Sequence, residues 1–100
     1  MRRAAKVDAN HTAIVDALRK LGCSVQSLAA IGQGCPDLLV AVNGHNFLIE
    51  VKDGSKPPSE RRLTSDQKRW HAAWNGPAHL VETVDRAIQL VAYYRQRSAA

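Results

Sequence analysis

The chain begins with a pattern of apolar positions typical of an amphipathic helix. Between Asp8 and Leu21 the apolar residues recur three and four positions apart, which places them on one helix face. Gly22 follows and predicts the end of this helix, because glycine is common just past a helix C-terminus. From Cys23 to Ile31 apolar and polar residues alternate imperfectly, and this alternation predicts the first strand.

Two short apolar runs follow, and a turn signal separates them. The runs cover residues 37–42 and 46–52, with Asn43-Gly44 between them. Asn-Gly strongly favours a two-residue hairpin turn, because both central residues of a type I′ turn need positive φ. We therefore expect an antiparallel hairpin here. Apolar residues at successive positions in both runs predict a sheet covered on both faces.

The second half of the chain alternates between helix and strand. A polar, proline-containing loop over 53–63 precedes a predicted helix over 64–74. A strand is predicted over 78–83 and a last helix over 84–97. The element order α-β-β-β-α-β-α predicts an α/β fold with a mixed four-stranded sheet flanked by helices.

Composition narrows the class of protein. The chain has 100 residues, 45% of them hydrophobic, and a formal net charge of +5. These values are those of a globular chain, and no run approaches the ~18 consecutive apolar residues of a spanning helix. The excess of positive charge favours an anionic partner, with nucleic acid as the first candidate.

Length and cysteine usage indicate the domain organisation and the compartment. We expect one domain over 1–100, with 1–7 as a flexible basic arm and 98–100 as a tail. No apolar h-region follows the basic start, and Cys23 and Cys35 do not have the spacing of a metal site. Cys35 also has no histidine placed to activate it as a nucleophile. The chain is thus expected to be cytoplasmic, with reduced thiols.

The predicted hairpin brings two acids together. If Asn43-Gly44 is the turn, Asp37 lies directly opposite Glu50, with Cβ atoms roughly 4.5–5.5 Å apart. Lys52 shares that face, because it is two positions beyond Glu50. Two carboxylates this close favour a divalent cation, and oxygen ligands suit Mg²⁺ or Mn²⁺. With a lysine beside them, they fit a site that hydrolyses phosphodiesters.

The same residues resemble a nuclease signature. Pro36-Asp37, a spacer and Glu50-Val51-Lys52 are similar to the PD-(D/E)XK motif, and residues 32–74 are similar to its VRR-NUC branch. The resemblance extends over most of the chain, roughly 8–88. It implies a restriction-endonuclease-like αβββαβ core, the same order that the hydrophobic pattern predicts.

The resemblance also implies roles for individual residues. Asp37, Glu50 and the backbone carbonyl of Val51 would bind the metal, and Lys52 would be the catalytic lysine. Many relatives complete the metal site with a glutamate on the first helix. The first helix here offers three candidate positions, Asp8, Asn10 and Asp16. Asn10 lies on the inward apolar face, but its neutral amide would bind a metal only weakly.

The second predicted helix carries a further candidate. The resemblance implies that Gln67 lies near the active site, and Gln67 also fits a capping box with Thr64. Trp70 and Trp74 follow Gln67 at helical spacing, which favours a place in the core over stacking on unpaired bases. Basic residues of the preceding loop and of this helix are candidates for contacts with DNA phosphates. These residues are Lys56, Arg61, Arg62 and Lys68.

The expected function is that of an Mg²⁺-dependent DNA endonuclease, with Mn²⁺ as a substitute, that leaves a 5′-phosphate and a 3′-hydroxyl. Stand-alone relatives of this size resemble phage-encoded or prophage-encoded Holliday junction resolvases. This likeness implies branched DNA as substrate, a homodimer, a bacterial host cytoplasm, and neither a membrane nor a small-molecule cofactor. The alternatives are a flap, nick or non-specific endonuclease, a catalytically silent nucleic-acid-binding module, and a small toxin or adaptor.

Overall fold

The computed structural model describes residues 8–97. The predicted arm 1–7 and tail 98–100 lie outside this range. Within residues 8–97, three α-helices and four strands follow in the predicted order, with one additional 3₁₀ turn. They are α1 His11–Lys20, β1 Ser24–Ser27, β2 Leu38–Val42, β3 His45–Val51, a 3₁₀ turn Pro58–Glu60, α2 Ser65–Ala73, β4 Ala78–Val81 and α3 Val84–Arg95.

The first strand is shorter than its sequence pattern predicts. Pairing in β1 stops at Ser27, whereas the pattern extends to Ile31. The backbone N–H of Ile31 donates to the carbonyl of Leu28 at 3.0 Å, so the chain turns directly after β1, and positive φ at Gly32, Gln33 and Gly34 continues this turn. These turns bring the chain back to the start of β2.

The sheet is mixed, as predicted. Its strand order is β1-β2-β3-β4, with antiparallel pairing throughout except for the parallel pair β3 and β4. The hairpin register is confirmed, because Val42 pairs with His45 and Leu38 with Ile49. The turn residues Asn43 and Gly44 have φ values of 52° and 78°, as a type I′ turn requires.

The hydrophobic core lies between one face of the sheet and helices α1 and α3. Ile14 and Leu18 of α1 are fully buried in it, together with Val91 of α3. Alternate residues of the strands complete it, because successive strand side chains point to opposite faces. These residues include Leu38, Val40, Phe47, Ile49, Val51 and Val81.

The second face of the sheet is only partly covered, so the prediction of cover on both faces is wrong. Leu39 and Leu80 are 36% and 40% exposed on this face. Helix α2 lies beside it, but no residue of α2 is buried. The prediction that the tryptophans enter the core is also wrong, because Trp70 is only half-buried and Trp74 is 50% exposed. The physical reason is that α2 has nine mostly polar residues and no continuous apolar stripe. Within residues 8–97 no helix is long and apolar enough to cross a membrane.

Candidate active site

The hairpin brings Asp37 and Glu50 together at its open end. Leu38 pairs with Ile49, and Asp37 and Glu50 are the next positions outward. Asp37 Oδ2 accepts a hydrogen bond from the backbone N–H of Val51 at 2.8 Å. Because Glu50 is two residues from Leu48 on β3, it lies on the partly covered face of the sheet, away from the hydrophobic core.

Glu50 is a buried acid in an unfavourable environment. Its side chain is only 4% exposed, and its Oε1 accepts no hydrogen bond from the described residues. Burial, followed by the negative charge of Asp37 and a hydrogen bond shared with it, raises the pKa of Glu50 from 4.5 to about 8. The charge of Lys52 opposes this shift only in part. A cation bound beside the two acids would therefore be strongly favoured.

Gln67 connects the lysine to the acid. Lys52 Nζ donates to Gln67 Oε1 at 3.0 Å, and Gln67 Nε2 donates to Glu50 Oε2 at 3.2 Å. Lys52 Nζ also lies 3.9 Å from Glu50 Oε2. The three side chains form a closed triangle, which fixes the position of the ammonium group next to the acids.

Gln67 also caps its own helix. Its Oε1 accepts from the backbone N–H of Thr64 at 2.8 Å, and its backbone N–H donates to Thr64 Oγ1 at 3.2 Å. The side-chain amide of Gln67 therefore caps α2 and contacts Lys52 and Glu50 at the same time. The capping box fixes the side chain in the rotamer that reaches the acids.

Gly34 allows α2 to approach the site, a contact that the sequence reasoning missed. Gly34 has a φ of +84°, and a Cβ atom there would overlap the carbonyl of Asp66 and lie 2.9 Å from Gln67 N. The loop before Asp37 thus packs directly on the first turn of α2. The sequence signal that could have revealed this contact is the Gly-Gln-Gly segment over residues 32–34.

Asn10 lies at the start of α1 and connects two strand ends. Its Nδ2 donates to the carbonyls of Lys52 at 3.0 Å and of Glu82 at 2.9 Å, while its buried Oδ1 has no partner among residues 8–97. Asn10 points inward, as expected. Its amide nitrogen positions the backbone that carries Lys52, and its oxygen remains available to accept a hydrogen bond.

The acid from the first helix region that acts on Glu50 is Asp8, which the sequence reasoning placed behind Asn10. The charge of Asp8 contributes, as the smallest of the causes, to the raised pKa of Glu50. Asp8 also lies 4.0 Å from Lys56 Nζ. Asp16 is exposed and lines a separate cleft with Arg19 and Val25, so it is not part of this site.

The four basic candidates divide into two pairs. Arg61 donates to the carbonyl of Lys56 at 2.7 Å and to Glu82 Oε2 at 3.2 Å, and Lys56 lies near Asp8. Arg62 and Lys68 are exposed and form no ion pair within the described range 8–97. Their charges are free for an anionic ligand.

Cys35 lies close enough to Glu50 and Asp37 for their negative charges to affect its thiol. Burial raises the pKa of its thiol, and the negative charges of Glu50 and Asp37 raise it further. A thiol with a raised pKa stays protonated and is a poor nucleophile. Cys35 and Cys23 are both free thiols.

The donor set fits a loosely held Mg²⁺ or Mn²⁺ ion. Among residues 8–97 no three His, Cys, Asp or Glu side chains converge on one point. Mg²⁺ commonly binds one or two protein carboxylates and keeps several waters. The paired acids, with the unpartnered Oε1 of Glu50, offer such a combination. The role of the Val51 carbonyl as a ligand stays a prediction.

Comparison with known proteins identifies no significantly similar protein. No protein-family model matches the chain, and no curated protein or solved structure is significantly similar to it.

Proposed function

We propose that this chain is a metal-dependent DNA endonuclease similar to the VRR-NUC branch of the PD-(D/E)XK superfamily. The observation that carries the proposal is the buried Glu50, with its unpartnered oxygen, beside Asp37 and joined to Lys52 through Gln67. The mixed four-stranded sheet and the element order are consistent with a restriction-endonuclease-like αβββαβ core.

Asp37, Glu50 and the carbonyl of Val51 would bind the ion, Mg²⁺ or Mn²⁺. A bound divalent ion lowers the pKa of water and neutralises charge on the phosphoryl oxygens. Lys52, positioned by Gln67, orients or deprotonates the attacking water and stabilises the charge that develops on the phosphate. The water oxygen forms the new bond to phosphorus as the bond to the 3′ oxygen breaks. The attacking water gives its proton to the Lys52 amine or to solvent, the 3′ oxygen takes a proton from a solvent water, and the products are a 5′-phosphate and a 3′-hydroxyl.

The substrate we propose is branched DNA. Arg62 and Lys68 are exposed and form no ion pair among residues 8–97, which suits phosphate contacts, and the net charge of +5 favours DNA in general. The likeness to resolvases of this size adds a homodimer that places two sites on opposed strands, in the cytoplasm of a bacterial host.

The decisive experiment compares three labelled substrates. The protein is incubated with a four-way junction, a flap and a linear duplex, each with Mg²⁺, with Mn²⁺ and with EDTA. Metal-dependent symmetric nicks in the junction alone are the expected result. Cleavage of the flap or of all three substrates would replace the resolvase proposal by a flap or general endonuclease. Binding without cleavage in either metal would overturn the nuclease proposal in favour of a silent binding module.

A further inference from the structure

An apolar groove opens on the partly covered sheet face, beside the candidate active site. Its volume is about 500 Å³, and its lining includes Leu39 and Leu48 of the sheet, Trp74 at the end of α2, and Pro77. Leu48 and Glu50 are two positions apart on the same strand, which is a separation of roughly 7 Å. The groove therefore begins next to the acids.

Helix α2 connects the acids to the groove. Gln67, Trp70 and Trp74 lie along one side of this helix, and Gln67 contacts Glu50. The two indole rings stack with centroids 4.6 Å apart and an angle of 18° between their planes. A Cβ atom on Gly76 would lie 3.0 Å from Trp74 Nε1, so the missing side chain leaves room for this ring. An aromatic surface thus extends from the site into the groove.

The charge of the chain favours an anionic occupant of the groove. Lys68 lies on α2 and Arg62 lies just before it, and both are unpaired within residues 8–97, whereas Arg69 is paired with Asp66. With a net charge of +5, the chain as a whole attracts a nucleic acid. Exposed aromatic side chains on a basic protein are typical of sites that bind single-stranded nucleic acid.

We propose that this groove binds an unpaired base of a DNA strand, stacked on Trp74, with phosphates at Lys68 and Arg62. The choice of DNA rests on the proposed function. The strand that leaves the groove would enter the site at Glu50 and Lys52. The groove would then hold a base that becomes unpaired at the branch point of a junction, next to the bond that is cut.

The test measures DNA binding in EDTA, where no cleavage occurs. Trp70 and Trp74 are the only tryptophans, so intrinsic fluorescence reports directly on the groove. Oligothymidylate is expected to quench this fluorescence, and a fluorescence-anisotropy assay with labelled oligothymidylate compares the variants. Trp74→Leu is expected to weaken that binding about tenfold and to leave binding of a paired duplex unchanged, while Trp74→Phe restores most of it. The matched control is Tyr93→Leu, which removes an equally exposed aromatic ring from α3 and is expected to change neither affinity.

The outcomes separate this inference from the nuclease proposal. Quenching and a selective loss in Trp74→Leu, without cleavage in any metal, would support the groove and overturn the nuclease. Cleavage with no effect of Trp74→Leu on oligothymidylate would overturn the groove and keep the nuclease. An equal loss for single strand and duplex would also overturn it. So would a dimer in sedimentation that Trp74→Leu dissociates, since the groove would then be an interface between two copies.

Discussion

Glu50 combines two properties that rarely occur together in a stable fold, burial and a lack of partners for one oxygen. Its Oε2 accepts from Gln67, but its Oε1 has no donor within residues 8–97. The nearby Asp37 makes ionisation harder still. Such an acid costs stability unless it is protonated or meets a cation, and this cost is the basis of the first prediction.

Replacement Glu50→Gln is expected to flatten the pH dependence of stability in EDTA. With a pKa of about 8 in the folded state and 4.5 as the ordinary value, the folded protein keeps a proton that the unfolded chain releases between these values. The free energy of unfolding of the wild type therefore falls as pH rises from about 5 to 8. The neutral variant lacks this fall and is expected to be clearly more stable than the wild type at pH 8. Urea denaturation at both pH values measures the difference.

The exposed Glu60 provides the control for that experiment. Glu60→Gln is expected to keep the wild-type slope, because its carboxyl is in contact with water. An equal slope in the wild type and in Glu50→Gln would contradict the assignment of the raised pKa.

Lys52→Ala is expected to abolish cleavage and to preserve folding and DNA binding. The Lys52 ammonium group is held next to Glu50 by Gln67. When the lysine side chain is removed, Gln67 Oε1 still accepts a hydrogen bond from the backbone N–H of Thr64, so the start of α2 stays intact. Loss of one preorganised donor in a site lowers rate by roughly 100-fold or more. Initial cleavage rates and binding isotherms distinguish the two effects. Lys20→Ala, at an exposed lysine of α1, is the matched variant, and a similar rate for both variants would refute the role of Lys52.

At the scale of the elements, the hairpin was predictable because a single turn fixes it. Asn43-Gly44 determines the register, and a shift by one residue would move Asp37 and Glu50 to opposite faces. The position of α2 was not predictable, since its contact with the loop at Gly34 depends on the missing side chain of one glycine. Asn10 points inward as expected, whereas the influence of Asp8 on Glu50 could not be predicted, because Asp8 precedes α1 and helical periodicity does not place it.

Gly34→Ala is expected to displace α2 and uncouple Gln67 from the site. The added methyl overlaps the carbonyl of Asp66, and the backbone already has positive φ. Gly32→Ala is the control, because Gly32 has a similar φ of +71° but nothing within 4 Å of the added atom. Gly32→Ala should cost about 1 kcal/mol, the penalty of positive φ alone, and Gly34→Ala clearly more. Equal losses in denaturation, with equal cleavage, would argue against the contact.

Asn10→Ala is expected to destabilise the connection between α1 and the ends of β3 and β4. The carbonyls of Lys52 and Glu82 each lose a donor, at a cost of about 1–3 kcal/mol. Asn10→Asp should be at least as harmful, because it places negative charge against two carbonyl oxygens. Thermal denaturation measures both variants, and a more stable aspartate variant in EDTA would contradict this geometry.

At the scale of the whole molecule, the basic residues are expected to act in two ways. Arg62→Ala and Lys68→Ala each remove a free charge, so the log–log salt dependence of DNA binding should become less steep by about 0.9 per variant. Arg61→Ala should mainly lower stability, because Arg61 is engaged with Glu82 and the Lys56 carbonyl. Binding titrations at several salt concentrations check this division, and identical behaviour of all three variants would contradict it.

The lack of any buried residue in α2 has a consequence for motion. A helix that contributes nothing to the core can unravel while the sheet, α1 and α3 remain folded. The amide protons of α2 should accordingly exchange with solvent sooner than those of the other two helices. Whenever α2 unfolds, Gln67 loses its hydrogen bonds with Lys52 and Glu50. The arrangement of these three side chains is then lost while the rest of the protein stays folded. A nucleic acid bound between the strands and α2 would stabilise the folded helix and slow that exchange. Binding of the ligand and folding of α2 are therefore thermodynamically linked.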